Sequence, residues 1–232
     1  MCFTPQVDVL AGVAIAAVAV DALRHCPSPR YAPLAALPAV FAVHTFLDAF
    51  VWWGLLGSVS ADVGTAATTG YIAIAYVVLP VLVPVAVLLI TSPGWRRTAL
   101  SVLLVCGVAA AGAFLVGLTA GRGAATACPA YIDYDIAGVS AWAGVLYVVA
   151  TCGAFLLSGH RPLVVWGLLN VIAVAVLATW VGNGLPSLWC FWAACTSVLV
   201  AWFLRRAGLG SGAGIGLDEA SEGVHIGHPA KG

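Results

Sequence analysis

Apolar positions along the chain fall in long, nearly uninterrupted stretches covering 8–24, 32–55, 70–92, 98–119, 137–158, 162–182 and 186–205. About twenty apolar residues in a helix cross the roughly 30 Å of bilayer hydrocarbon, and the stretches are of that order. They are rich in Ala, Leu and Val and lack the strict alternation of barrel strands, so they predict helices. Polar punctuation separates them: Cys26-Pro27-Ser28-Pro29, Ser92-Pro93-Gly94 and Gly159-His160-Arg161-Pro162 read as tight connections. The expectation is an all-α integral membrane bundle of seven transmembrane helices spanning 1–206. A polar segment, 207–232, opens Gly208-Leu209-Gly210-Ser211-Gly212, carries Asp218, Glu219 and Glu222, and reads as a disordered cytoplasmic tail.

Composition agrees: 62% of the 232 residues are hydrophobic and 8% charged, too little polar surface to cover a water-soluble globule. The first run lacks a basic leader and a small-residue cleavage site, so it is expected to be a retained helix. Arg24, Arg30, Arg96, Arg97, Arg161, Arg205, Arg206 and Lys231 fall on one side of the seven-helix arrangement, and Arg122 alone on the other. Basic residues are retained in the cytoplasm, so the N-terminus is expected outside and the chain in the cell membrane as a multi-pass protein. The net charge is zero, and no nucleic-acid partner is inferred.

Ionisable side chains within lipid-length runs are the informative exceptions, because lipid exposure costs several kcal/mol. His44 and Asp48 stand four residues apart on the second helix and share a face that Trp52 continues. With Asp8 they form the candidate polar cluster. The pair admits a structural hydrogen bond, a proton relay or a metal-ligand role, but no Cys-x-x-Cys or His-x-x-x-His spacing supports a metal site. His225 and His228 in the tail read as solvated residues. Asp133, Asp135, Tyr131 and Tyr134, with Trp52, Trp53, Trp180, Trp189 and Trp192, give the outer half an acidic and aromatic character. That suits a small ligand or cation at the outer face, against the alternative of an interfacial aromatic belt.

Pro80 and Pro84 should kink the third helix. Gly107, Gly112 and Gly117 should let the fourth helix approach its neighbours closely. Cys2, Cys128 and Cys190 are expected outside, where an oxidising environment favours pairing two of them, without deciding which. The residues name no cofactor. A retinal Schiff base would need a lysine in the bundle, and Lys231, the single lysine, lies in the tail.

Met1-Cys2-Phe3-Thr4, His44-Thr45-Phe46-Leu47-Asp48-Ala49-Phe50-Val51-Trp52 and Leu188-Trp189-Cys190-Phe191-Trp192-Ala193-Ala194 together resemble a family of uncharacterised multi-pass membrane proteins of bacteria and archaea. In that family the chain opens Met-Cys-Phe-Ser, the second helix carries Gln-Gln-Phe-x-Glu-Gly-x-x-Trp, and the last contains Trp-Cys-Phe-Phe-Ala-Ala. The resemblance singles out Cys2, Phe3, His44, Asp48, Trp52, Trp189 and Cys190. His44 stands where the pattern has Gln and Asp48 where it has Glu. That exchange fits a hydrogen-bonded cluster better than a fixed metal ligand. Since both belong to the resembled motifs, the resemblance also favours Cys2 with Cys190 as the expected disulfide. The resemblance implies no activity, and three functions stay open. They are an outward-facing polar pocket for ligand or ion binding, transport or sensing; a metal- or thiol-dependent intramembrane oxidoreductase; and an accessory subunit packed on a membrane-protein partner.

Overall fold

A computed structural model of the chain describes residues 4–128, 131–180 and 185–208. Met1, Cys2, Phe3 and the tail from Leu209 lie outside the described residues, and with them the expected disordered tail and its histidines.

Helix α1 (Pro5–Arg24) starts where the Thr4 hydroxyl accepts the Val7 amide, with proline at its first position. A short 3-10 turn leads into α2 (Ala32–Leu55), and α3 (Ala61–Ile72) is capped by Ser60. A π-helical turn, Ala73–Val78, then joins α3 to α4 (Leu79–Ile90) in one continuous apolar rod. The expected kink at Pro80 takes this form: the widened turn stops just before the proline, whose ring would otherwise press on the carbonyl of Tyr76. This rod begins at Ala61, nine residues earlier than the apolar stretch at 70–92 indicated.

Helix α5 (Trp95–Thr119) is followed by α6 (Ala141–Leu157), α7 (Arg161–Trp180) and α8 (Leu185–Thr196), the last continuing past a turn at Ser197 within the span Leu188–Gly208. Among the described residues, six helices are by length and composition long and apolar enough to cross a membrane, where seven were expected. The exception is α6, whose 17 residues extend about 25 Å, short of the roughly 30 Å hydrocarbon layer. Helix α6 starts only at Ala141, after the left-handed turn at Gly138 and the Ser140 cap, and residues 132–136, just before the expected run 137–158, form a strand.

That strand, β2 (Ile132–Ile136), pairs antiparallel with β1 (Gly123–Ala127), Gly123 opposite Ile136 and Ala127 opposite Ile132. The connection between the fourth and fifth apolar stretches is therefore a hairpin. Along β2 the period of two buries Ile132, Tyr134 and Ile136 and turns Asp133 and Asp135 to the other face.

In the bundle, α2 is central and α7 peripheral: 61% of the Pro29–Leu55 window is buried against 22% of Arg161–Trp180. Around α2 pack α1, α3, α4, α8 and β1. Gly54 of α2 and Gly64 of α3 meet so closely that a Cβ on Gly54 would stand 2.6 Å from the Gly64 Cα. The apolar side chains left on the outside, such as Val102, Val105, Val116 and Ile172, are those a lipid environment would cover.

Apart from Arg122, the basic side chains among the described residues stand at the helix ends away from the hairpin. There Arg205 makes a two-pronged ion pair with Asp21, at 2.7 Å and 2.5 Å, tying the last helix to the end of α1. The His160 ring packs on Phe203, which also touches Tyr31. Burial and the neighbouring Arg96 hold the His160 imidazole below its ordinary pKa.

Candidate functional site

Three of the cluster residues lie on α2, and the helical repeat turns them inward together: His44, Asp48 and Trp52 are all buried. Asp8, in the first turn of α1, is fully buried as well. Helix α1 runs antiparallel to α2 with Gly12 against the Phe46 ring, which brings Asp8 to the level of the Asp48–Trp52 turn.

His44 and Asp48 are joined through two tyrosines. The His44 imidazole lies against the Tyr71 ring of α3, with centroids 3.8 Å apart. Tyr71 stacks on Tyr134 of β2, also at 3.8 Å and only 10° from parallel. The Tyr134 hydroxyl then donates to Asp48 Oδ1 at 2.5 Å, closing the loop back to α2. His44 Nε2 and Trp52 Nε1 have no hydrogen-bond partner among the described residues.

Cys190 of α8 enters the same cluster, its thiol within hydrogen-bonding reach of the Tyr71 side chain and close to Asp48. Cys190 is buried and turned into the bundle, and among the described residues Cys26, Cys106, Cys128, Cys152, Cys190 and Cys195 form no disulfide with one another. Cys2, the expected partner of Cys190, lies outside the described residues, and the expected pair with it. Among the described residues, no group of three or more His, Cys, Asp or Glu side chains could hold a metal ion.

Beside the cluster opens a cavity of about 850 Å³. Tyr134 and Cys190 belong to its lining, so the buried polar network is continuous with its wall. Four aromatic rings from four elements also line it. Tyr76, presented by the π turn, packs on Phe114 of α5 at 4.7 Å and faces Tyr147 of α6 at 6.1 Å. Trp189 of α8 meets Tyr147 edge-on at 5.2 Å.

The Trp189 indole is fixed from behind. Its Nε1 donates to Asn170 Oδ1 at 3.0 Å, while the Asn170 amide donates to the Trp166 carbonyl of the same helix at 2.8 Å. A carboxamide buried this way has its donor and acceptor both used, and it holds the ring at one angle. Asp133 and Asp135 of the hairpin supply the carboxyl groups of the lining, with Asp135 exposed and Asp133 half-buried.

Asp8, His44, Asp48, Trp52 and Cys190 are thus all buried, and the structure adds Tyr71 to the cluster and Tyr76, Tyr147 and Asn170 at the neighbouring cavity, none of which the sequence indicated. Asn170 carried a readable signal, a carboxamide in the middle of an apolar run. So did Ile132-Asp133-Tyr134-Asp135-Ile136, whose alternation has the period of a strand. Tyr71 had none, because a tyrosine in an apolar helix gives no sign of which helix it will meet.

A model of a family of unknown function, DUF6629, matches residues 1–212. No curated protein and no solved structure matches the chain.

Proposed function

The chain belongs to the DUF6629 family, and we propose that it is a multi-pass protein of the cell membrane whose cavity beside the hairpin binds a small ligand at the outer face. The observation carrying this is the cavity itself. About 850 Å³ walled by aromatic side chains with a few polar groups on one side matches the size and make-up of small-molecule sites. The buried cluster of Tyr71, Tyr134, Asp48 and Cys190 supports that wall from behind, as a site held in one geometry requires. Transport or sensing would each begin with such binding.

Gly144 of α6 lines the cavity, and a side chain there meets nothing within 4 Å, so Gly144→Phe should fill the space while leaving the bundle intact. Native mass spectrometry of the protein in lipid nanodiscs should find a retained small molecule on the parent chain and not on Gly144→Phe. Equal retention by the two proteins overturns the reading.

The outward direction of the cavity follows from charge. The hairpin end carries Arg122 as its one basic residue, while the other end gathers the arginines of the remaining connections. In intact cells a cysteine introduced at Ser211 should add no labelling by an impermeant thiol reagent over the parent chain. Labelling that appears without permeabilisation would invert the orientation.

A further inference from the structure

The lining of the cavity is divided by chemistry. At the hairpin it offers the carboxyl groups of Asp133 and Asp135, and beneath them the rings of Tyr76, Phe114, Tyr147 and Trp189. Along α6 and α7 it continues as a purely aliphatic wall of Val145, Val148, Val149 and Val174. Val145 and Val149 are 49% and 45% exposed, so this wall opens sideways toward what would be lipid. Among the described residues, no lysine, arginine or histidine is in the lining. Arg122 reaches the Gly138 turn next to the hairpin but is not among the lining groups.

Each part of this division narrows the occupant. Carboxyl groups beside the negative faces of several aromatic rings favour a positive charge, and organic ammonium groups are held in this way. A bare or hydrated metal ion would leave most of so large an apolar space unfilled, and an anion would face the two aspartates. A freely soluble small cation would make no use of the valine wall. An apolar chain attached to the cation would cover that wall, and it could enter along the open side directly from the bilayer.

We propose that the cavity takes an amphiphilic organic cation, its ammonium head between the hairpin carboxyls and the four rings and its apolar chain along the valines of α6 and α7. This rests on reading the cavity as a ligand site. The hairpin carboxyls and the rings would supply the preference for positive charge, and the apolar chain, exchanging lipid for an equally apolar wall, would fix the orientation of the head.

The test uses the full chain in nanodiscs and three probes with the same twelve-carbon tail: dodecyltrimethylammonium, neutral dodecyldimethylphosphine oxide and dodecyl sulfate. Binding is read by native mass spectrometry, and the signal from Gly144→Phe is subtracted as bilayer partitioning. The cation should bind at least about tenfold tighter than the neutral probe, the scale of one or two cation–aromatic and charge contacts. Asp133→Asn with Asp135→Asn should remove most of that preference while leaving affinity for the neutral probe unchanged. Asp135→Asn alone, a change at an exposed position, should remove part of it without disturbing the fold.

Equal binding of the cation and the neutral probe overturns the cation class and leaves the ligand site standing. Preferred binding of dodecyl sulfate likewise overturns the class. If no probe binds the parent chain more than Gly144→Phe, the cavity is not a site for such amphiphiles and the proposal falls. The ligand-site reading then stands or falls on the retained-molecule comparison alone.

Discussion

Gly107→Ala is expected to destabilise the bundle by about 3 kcal/mol, at the upper end of what overfilling a packed interior costs. Gly112→Ala, five residues along the same helix, should change stability by no more than a few tenths. The contrast comes from what each added methyl would meet. At Gly112 there is nothing within 4 Å. At Gly107 the methyl would fall on the carbonyl oxygen of Pro80 in α4, with the Ala150 Cβ of α6 at 3.4 Å on its other side.

A backbone oxygen in a helix cannot swing aside as the end of a long side chain can, so α4 and α5 would have to separate. The oxygen also has a reason to be there. The residue four positions on, which would normally donate an amide hydrogen to it, is Pro84, which has none. Close approach of the Gly107 Cα gives that carbonyl a weak C–H donor in place of the missing amide. The proline pair and the glycine are thus one device across two helices. Unfolding the purified protein with increasing denaturing detergent measures both variants. Equal midpoints for Gly107→Ala and Gly112→Ala would show that the helices do not meet as described.

Asp48→Leu should cost about 1–3 kcal/mol, the penalty for leaving a buried hydroxyl without its acceptor. The Tyr134 hydroxyl would lose that acceptor inside the bundle. Asp48→Asn should be milder, because the amide oxygen can still accept. Tyr134→Phe removes the donor from the other side, so the two changes should be less than additive when combined. A double-mutant cycle on the same unfolding assay reads this coupling directly. Asp48→Leu with the stability of the parent chain would remove the structural role of the cluster. The effect should also spread to the hairpin, because Tyr134 is the residue by which β2 is bonded and stacked onto α2 and α3. Faster proteolysis of the 120–140 segment in Asp48→Leu than in Asp48→Asn would report that loosening.

Much of this architecture could be read in the order of residues. Membrane helices carry their signal locally, since every run of about twenty apolar residues faces the same demand to satisfy its backbone and hide nothing polar from water. Polar residues inside such runs are costly unless they face protein. For that reason His44 and Asp48 could be placed inside the bundle from the sequence. The four-residue spacing of His44, Asp48 and Trp52 placed them on one face by helix geometry alone. The two prolines and Gly107 were legible as a kink and a close approach, though not as partners.

Tertiary structure decided what those groups meet. Two helices and a strand separated by scores of residues had to come together before Tyr71 could lie between His44 and Tyr134, and nothing local to any of the three encodes that stack. The fate of Cys190 was of the same kind. Its position near a helix end suggested a thiol exposed at the surface, and packing of α8 against α2 turned it inward toward Tyr71 and Asp48. The cavity is walled by the hairpin, by rings from the π turn, α5, α6 and α8, and by valines of α6 and α7, which come together only in the folded bundle. Hydrophobic length and intramembrane polarity are properties of single segments, so the sequence alone determined them. A shared cavity and a stack of rings are properties of several segments at once, and only the packing of the bundle could decide them.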